Sequence, residues 1–304
     1  MNQRASCAVV CYCHDPDEIA PLLDSLARCV PPPLLYLVDN SPTPALAPVA
    51  AAHHAVYHHQ PGNPGFACAH NRALREALAQ GSDYHFVVNP NIRVVPEALP
   101  PMLAFMEQHR DIGLLAPRVH FPDGRLQPLC KLLPEPVDLA VRRFLPWLHR
   151  VRGRARYEMH GSGYDHVMDV PVLSGCFMLM RCDTLRRVGL FDERFFLYFE
   201  DVDLSRRIGR VARTVFFPGV QVEHGYAAGS YRNARLLWHH IVSAVRYFNK
   251  WGWLDDPERA RVNEHALRAL TSRGDAPAFQ RRRAAVSPDY PAERCRRRTV
   301  QQTD

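Results

Sequence analysis

Gly189–Arg207 reads GLFDERFFLYFEDVDLSRR. Five carboxylates, Asp192, Glu193, Glu200, Asp201 and Asp203, stand there among Phe191, Phe195, Phe196, Leu197, Tyr198 and Phe199. Aromatic rings favour burial, and a carboxylate carried in with them must be paired, capped, metal-bound or held protonated. From Val202 the pattern turns helical, with Leu204 and Ile208 four residues apart and Arg206, Arg207 and Arg210 following. The stretch therefore predicts an aromatic loop that enters a helix at Glu200-Asp201. A carboxylate at the edge of an apolar pocket suits general-base chemistry. Acids in a first helical turn also suit simple capping, and this stretch alone leaves both roles open.

The chain around it has 304 residues, enough for one large domain or two small ones. Its 47% hydrophobic and 23% charged residues are ordinary for a globular protein. No apolar run reaches the length of a membrane span, and MNQRASCAVV leads into a strand without a signal-peptide layout. The nine cysteines include no CxxC pair, which points away from a disulfide framework or a zinc site and towards a reducing cytoplasm. The net charge of +7 favours an anionic partner, although much of it lies in the C-terminal tail.

Upstream, Ala8–Tyr12 predicts a buried strand, Glu18–Cys29 a helix with Ile19, Leu22, Leu23 and Leu26 on one side, and Leu34–Val38 a second strand. That is a βαβ unit with parallel strands. Ligands of open α/β sheets bind at the carboxyl ends of strands, where Asp39-Asn40-Ser41 falls; an Asp-Asn pair also makes a plain turn. Asn63-Pro64-Gly65-Phe66 opens a helix that carries Asn71, and a glycine there allows close backbone approach. Neither GxGxxG nor a P-loop is present. His53, His54, His58 and His59 lack a recognised ligand spacing and read as a polar loop. Tyr84–Val88 is a central strand broken by Asn89-Pro90-Asn91, Pro96–His109 a helix and Ile112–Ala116 a strand. Leu126–Asp169 reads as a helical excursion able to cover the site, and Val170–Met180 as a strand region interrupted by Ser174-Gly175. Thr214–Val222 makes a further strand ending at Glu223-His224. Arg232–Trp253 is a basic helix whose apolar stripe suits either core packing or an anionic membrane surface. The tail, with Arg281-Arg282-Arg283 and Arg296-Arg297-Arg298, predicts disorder, and it lacks the interleaved aromatics of a nucleic-acid binder.

In this order the motifs resemble the family-2 inverting glycosyltransferases of the GT-A fold, and among them the bacterial rhamnosyltransferase-like branch. The likeness runs from about Ala8 to Asn263. Val38-Asp39-Asn40-Ser41, Asn63-Pro64-Gly65-Phe66 with Asn71, and Asn89-Pro90-Asn91 carry its first half. Leu173-Ser174-Gly175, Gly189–Glu193, Tyr198–Leu204, His224 and Arg246–Trp253 carry its second. The resemblance implies an α/β fold, a Rossmann-like, mostly parallel central sheet flanked by helices, with a helical C-terminal extension. It implies one domain over residues 1–255, with a nucleotide-sugar half to about residue 116 and an acceptor half after it, and a basic tail over 256–304.

By the same resemblance Asp201, beside Glu200, is the base that deprotonates an acceptor hydroxyl. Asp39, with Asn40, Asn63, Gly65, Asn71 and Asn89, lies on the nucleotide-sugar side, and Gly175 lets donor or acceptor pass close to the backbone. Asn91 and His224 fall at the metal positions for Mg2+ or Mn2+. The family's acid is an amide at Asn91, which contributes an oxygen but no charge. The implied activity is sugar transfer, rhamnose from dTDP-rhamnose first and a UDP-hexose second, onto a cell-surface polysaccharide or lipid-linked glycan. The implied location is the cytoplasm, with peripheral contact at the inner membrane, and no nucleic acid is expected. A degenerate, non-catalytic nucleotide-sugar binder is the rival reading that Asn91 favours.

Overall fold

The computed structural model describes residues 4–137, 153–225 and 234–274. A nine-stranded sheet runs through the described residues, joined by β1 (Ala5–Cys11), β2 (Leu34–Asp39), β3 (Val56–His59), β4 (Tyr84–Val88), β5 (Ile92–Arg93), β6 (Ile112–His120), β7 (Met168–Asp169), β8 (Phe177–Arg181) and β9 (Arg213–His224). The spatial order is β3-β2-β1-β4-β8-β6-β9-β5, with β7 also on β9. From β3 to β4 every neighbour is parallel. β8 then enters antiparallel between β4 and β6, while β6 and β9 pair in parallel.

β1, β2 and β4 are buried along nearly their whole length, as strands covered on both faces must be, and the edge strand β3 is half-buried. On one face lie α1 (Pro16–Ala27), which buries Ile19, Leu22, Leu23 and Leu26, and α4 (Leu99–Gln108), with α2 (Ala47–Ala52) beside them. Pro16 opens α1, where its missing N–H costs nothing, and Asp15 N–H donates back to Glu18. On the other face lie α3 (Phe66–Ala79), the short α5 (Arg154–Tyr157), α6 (Cys182–Val188) and α7 (Glu200–Gly209). α8 (Ala234–Trp251) buries Tyr247 and Phe248 against Phe195 and Phe199.

Three expectations change. The strand region expected over Val170–Met180, interrupted at Ser174-Gly175, forms a strand only over Phe177–Arg181; before it Val170 N–H donates to Thr214 O of β9 at 2.9 Å, and Val172 makes an isolated bridge with Lys131. In the excursion after Leu126, the described residues include little helix beyond α5 and a single turn at His160–Ser162. The apolar cluster at 139–148 lies outside the described residues. The boundary expected at residue 255 also moves. Pro257–Gly274 is a helix, α9, whose Asn263 side chain bonds the Leu133 backbone in both directions, donating at 2.9 Å and accepting at 2.8 Å. Residues 275–304, with both arginine runs, lie outside the described set. No helix among the described residues is long and apolar enough to cross a membrane.

Candidate active site

The chain enters α7 through two bulky residues in left-handed backbone, Tyr198 at φ 69° and Phe199 at φ 67°. Such residues cost about 1–3 kcal/mol each and persist only where the surroundings fix them. Here two helices do so. From α3, Phe66 N–H donates to Phe196 O at 2.8 Å, and a Cβ on Gly65 would sit 2.4 Å from that oxygen. Gly65 also has φ +91°, so both space and backbone require glycine. From α8, Ser243 donates to Leu197 O at 2.9 Å, and the His239 ring stacks on Phe196 at 4.2 Å.

This fixed entry separates the five acids. Asp201 is half-buried; its Oδ2 accepts from Gly175 N–H at 3.0 Å and its Oδ1 from Val202 N–H at 2.8 Å. A Cβ on Gly175 would stand 3.4 Å from both Asp201 Cβ and Phe66 Cζ, so glycine sets how closely the carboxylate meets the strand. Glu200 is buried and its Oε2 has no partner. Burial, then the charge of Asp201, lifts its carboxyl well above the usual range. Asp203 is fully buried and receives Lys250 Nζ at 2.7 Å, Arg207 Nε and Trp251 Nε1 each at 2.8 Å. Asp192 is held well below the usual carboxylate range, first by the Arg194 guanidinium and also by Lys250. Glu193 is likewise lowered, by the Asn71 amide and then Arg75. Asp192 and Asp203 are thus committed to ion pairs, and Asp201 is the ionisable acid whose bonds come only from backbone N–H groups.

The rim opposite Asp201 is continuous with it. Asn89 N–H donates to Cys176 O at 2.9 Å, next to Gly175. Asn91 is exposed, and its Nδ2 donates to Gly225 O at 2.7 Å, which turns Oδ1 the other way. His224 lies one strand over, since Ile92 of β5 pairs with it. Gln127 clasps His224: Nε2 donates to the His224 carbonyl at 2.7 Å, so Oε1 faces Nδ1 at 3.0 Å and that nitrogen carries the proton. Burial pushes the imidazole down to about 4 and keeps it neutral at physiological pH. Gln127 was missed in the sequence, where nothing local marks it. Gln127, Ser174, Cys176 and Tyr164 line a small cavity.

Asp39 and Asn71, both expected on the ligand side, are bonded within the protein. Asp39 is fully enclosed, with Ser41 N–H at 3.0 Å and Tyr57 OH at 2.8 Å on its two oxygens. Asn71 is buried; it donates to Phe191 O at 2.8 Å and Glu193 Oε1 at 2.9 Å and accepts from Phe191 N–H at 3.0 Å, which uses its amide hydrogens. Its work is to tie α3 to the loop before α7. Asn40 bonds Asn63 at 3.4 Å and keeps its Oδ1 unpartnered, so this pair retains polar capacity for a ligand. Of the four histidines expected in a polar loop, His58 and His59 instead end strand β3; His53 bonds Asp24, His58 bonds Glu76 and His59 bonds Ser41 O.

Among the described residues no three His, Cys, Asp or Glu side chains converge as a metal cluster. Asn91 and His224 do fit two neutral positions of a cation that draws its other ligands from phosphate oxygens and water.

The family model of glycosyl transferase family 2 matches residues 6–189. An N-acetylglucosaminyl-diphospho-decaprenol L-rhamnosyltransferase of Mycobacterium tuberculosis is 27% identical over 244 residues, covering 72% of this chain and 77% of that relative. Among solved structures, GalNAc-T7 with UDP, GalNAc and Mn2+ superimposes with a TM-score of 0.58 at 13% identity, over 82% of this chain and 48% of that one. The mannosyltransferase PcManGT of Pyrobaculum calidifontis, with GDP-Man and Mn2+, has a TM-score of 0.55 at 18% identity, over 93% and 79% of the chains. S. aureus TarS 1-349 with UDP has a TM-score of 0.55 at 16% identity, over 92% and 78%. These structures share the fold.

Proposed function

We propose, for a chain that belongs to glycosyl transferase family 2, that it transfers a sugar with inversion from a nucleotide diphosphate donor to a hydroxyl of a lipid-linked glycan. The mycobacterial relative is named for rhamnose transfer onto a decaprenol-linked acceptor. That likeness makes dTDP-rhamnose the first donor to test and a UDP-hexose the second. The observation that carries the proposal is Asp201: a half-exposed carboxylate at the mouth of a fixed aromatic loop, held 3.0 Å from the backbone of Gly175.

In the proposed reaction the acceptor oxygen attacks the anomeric carbon while the bond to the diphosphate breaks on the opposite side. Asp201 takes the hydroxyl proton. Its backbone bonds orient the carboxylate without neutralising it, as a salt bridge would. Burial of Glu200 beside it favours the protonated carboxyl, which works against a second negative charge there. Asn40 and Asn63 offer amide groups to the nucleotide, and Asp39 holds their loop in place through Ser41 and Tyr57. Asn91 Oδ1 and the His224 imidazole would hold Mg2+ or Mn2+; such a cation, when bound, supplies positive charge against the diphosphate. Gln127 fixes the tautomer and orientation of the imidazole for that task.

The test is nucleotide diphosphate release from a panel of nucleotide sugars, with lipid-linked acceptors, with and without manganese. Acceptor-dependent release from one donor is the expected result. Asp201→Asn removes the proton acceptor with little change in volume; it should lower turnover by about 10²–10⁴-fold while donor affinity is kept. Full activity in that variant would remove Asp201 as the base. The neutral Asn91 favours a second reading, a non-catalytic nucleotide-sugar binder. Saturable donor binding with no release under any condition would select it.

A further inference from the structure

α8 is apolar on two sides. Its inner side packs on the core through Tyr247 and Phe248. Its outer side carries Trp238, Ile241 and Val245 at helical spacing, exposed by 63%, 45% and 40%. Just past the helix, after the left-handed Gly252, Trp253 and Leu254 are exposed by 43% and 84%. From Trp238 to Val245 this line is roughly 10 Å long. Isolated exposed apolar residues are ordinary, but a contiguous line of large ones marks an interaction surface.

The flanks choose the partner. Arg235 and Arg246 are exposed beside the line, and Ala234–Trp251 contains no aspartate or glutamate. A second copy docked face to face would bring these cations against their own kind, which is unfavourable. A layer of anionic headgroups complements them, while tryptophan and the aliphatic side chains favour the boundary between headgroup and acyl chain.

We propose that the outer face of α8, with Trp253 and Leu254, seats the protein on an anionic lipid surface. The inner face of the same helix holds the loop that orients Asp201, through Ser243 on Leu197 O and His239 on Phe196. The bilayer surface then lies about one helix diameter, roughly 10 Å, from the base's loop. That is where the hydroxyl of a membrane-borne acceptor arrives. The docking itself requires no transfer activity, so it can fail while the proposed reaction stands, and the reverse.

The experiment is sedimentation of the full chain with vesicles of phosphatidylglycerol mixed into phosphatidylcholine, and with phosphatidylcholine alone. Binding to the mixed vesicles, weakened by salt, is expected. The double variant Trp238→Glu/Ile241→Glu should bind at least about tenfold more weakly, with an unchanged circular dichroism spectrum and melting temperature. The pair Trp253→Ser/Leu254→Ser probes the far end of the line and should weaken binding in the same direction. Absence of binding by the unaltered chain overturns the proposal, as does binding that survives both double variants. Equal binding to pure phosphatidylcholine removes the anionic requirement. A lipid-free dimer that Trp238→Glu/Ile241→Glu dissociates, without vesicle binding, assigns the face to a second copy.

Discussion

Burial divides two adjacent carboxyl groups at the first turn of α7. Asp201 keeps backbone donors and partial exposure; Glu200 is enclosed, with an unpartnered Oε2 and the charge of Asp201 beside it. The raised Glu200 carboxyl has a direct consequence for stability. In the unfolded chain it loses its proton near the ordinary value of 4.5, whereas the folded protein keeps it to higher pH. Its contribution is therefore full below about 4.5 and is lost as pH rises towards the folded value. Glu200→Gln removes that loss. Scanning calorimetry should find the variant melting above the parent at pH 7.5, the difference shrinking towards pH 4; a lower melting temperature at pH 7.5 would contradict the assignment. At this scale the sequence was partly legible. Asp201 and Gly175 could be named because an acid entering a helix and a glycine in an apolar run are local signals. The protein partners of Asp39 and Asn71 could not be read, because Tyr57 and Phe191 lie far from them in the chain and nothing local names them.

At the scale of elements, α7, α8 and α9 are joined by charge as much as by apolar packing. Arg206 of α7 is buried; it donates to both oxygens of Asp256 at 2.7 and 2.6 Å and to Glu258 at 2.7 Å, and it lies 4.2 Å over the Trp251 ring. Removing one partner of such a buried pair strands the other. Arg206→Met should destabilise the protein by about 3–5 kcal/mol in urea denaturation. Restoration by Arg206→Met/Asp256→Leu to within about 1 kcal/mol of the parent would mark the loss as the stranded carboxylate rather than lost packing. The same network explains why α9 escaped the sequence reading. Its buried residues include Arg259 and Asn263, satisfied by the Gly252–Leu254 backbone and Leu133. An apolar-periodicity argument counts such residues as solvent-facing. Helices α1 and α3 were legible because their buried faces repeat apolar residues every three or four positions.

Over the whole molecule, the parallel run β3-β2-β1-β4 follows from local βαβ units, and the sequence order suffices to read it. The antiparallel entry of β8 between β4 and β6 does not, since Phe177–Arg181 meets partners about 65 residues upstream in β6 and about 90–97 upstream in β4, and nothing local specifies the direction. The core of this sheet also carries a liability to acid. His85 is driven down to about 3 and His224 to about 4, and His70 is lowered well below its ordinary value, each by burial. Each of these neutral imidazoles supports the folded state fully above about pH 6.5. That support is lost as pH falls, because the unfolded chain takes up the protons first. Stability should drop by up to roughly 4 kcal/mol per pH unit once all three titrate in the unfolded chain, below about pH 6. His85→Phe should soften the slope of melting temperature against pH between 6 and 4.5. A final consequence lies in the order of synthesis. Asp203 receives the indole N–H of Trp251, 48 residues later in the chain. At about 5–20 residues per second, a ribosome leaves that carboxylate without its partner for roughly 2–10 s. The loop that aims Asp201 therefore sets last, and a nascent chain halted before α8 carries every residue of the base's helix in a form that has not yet closed.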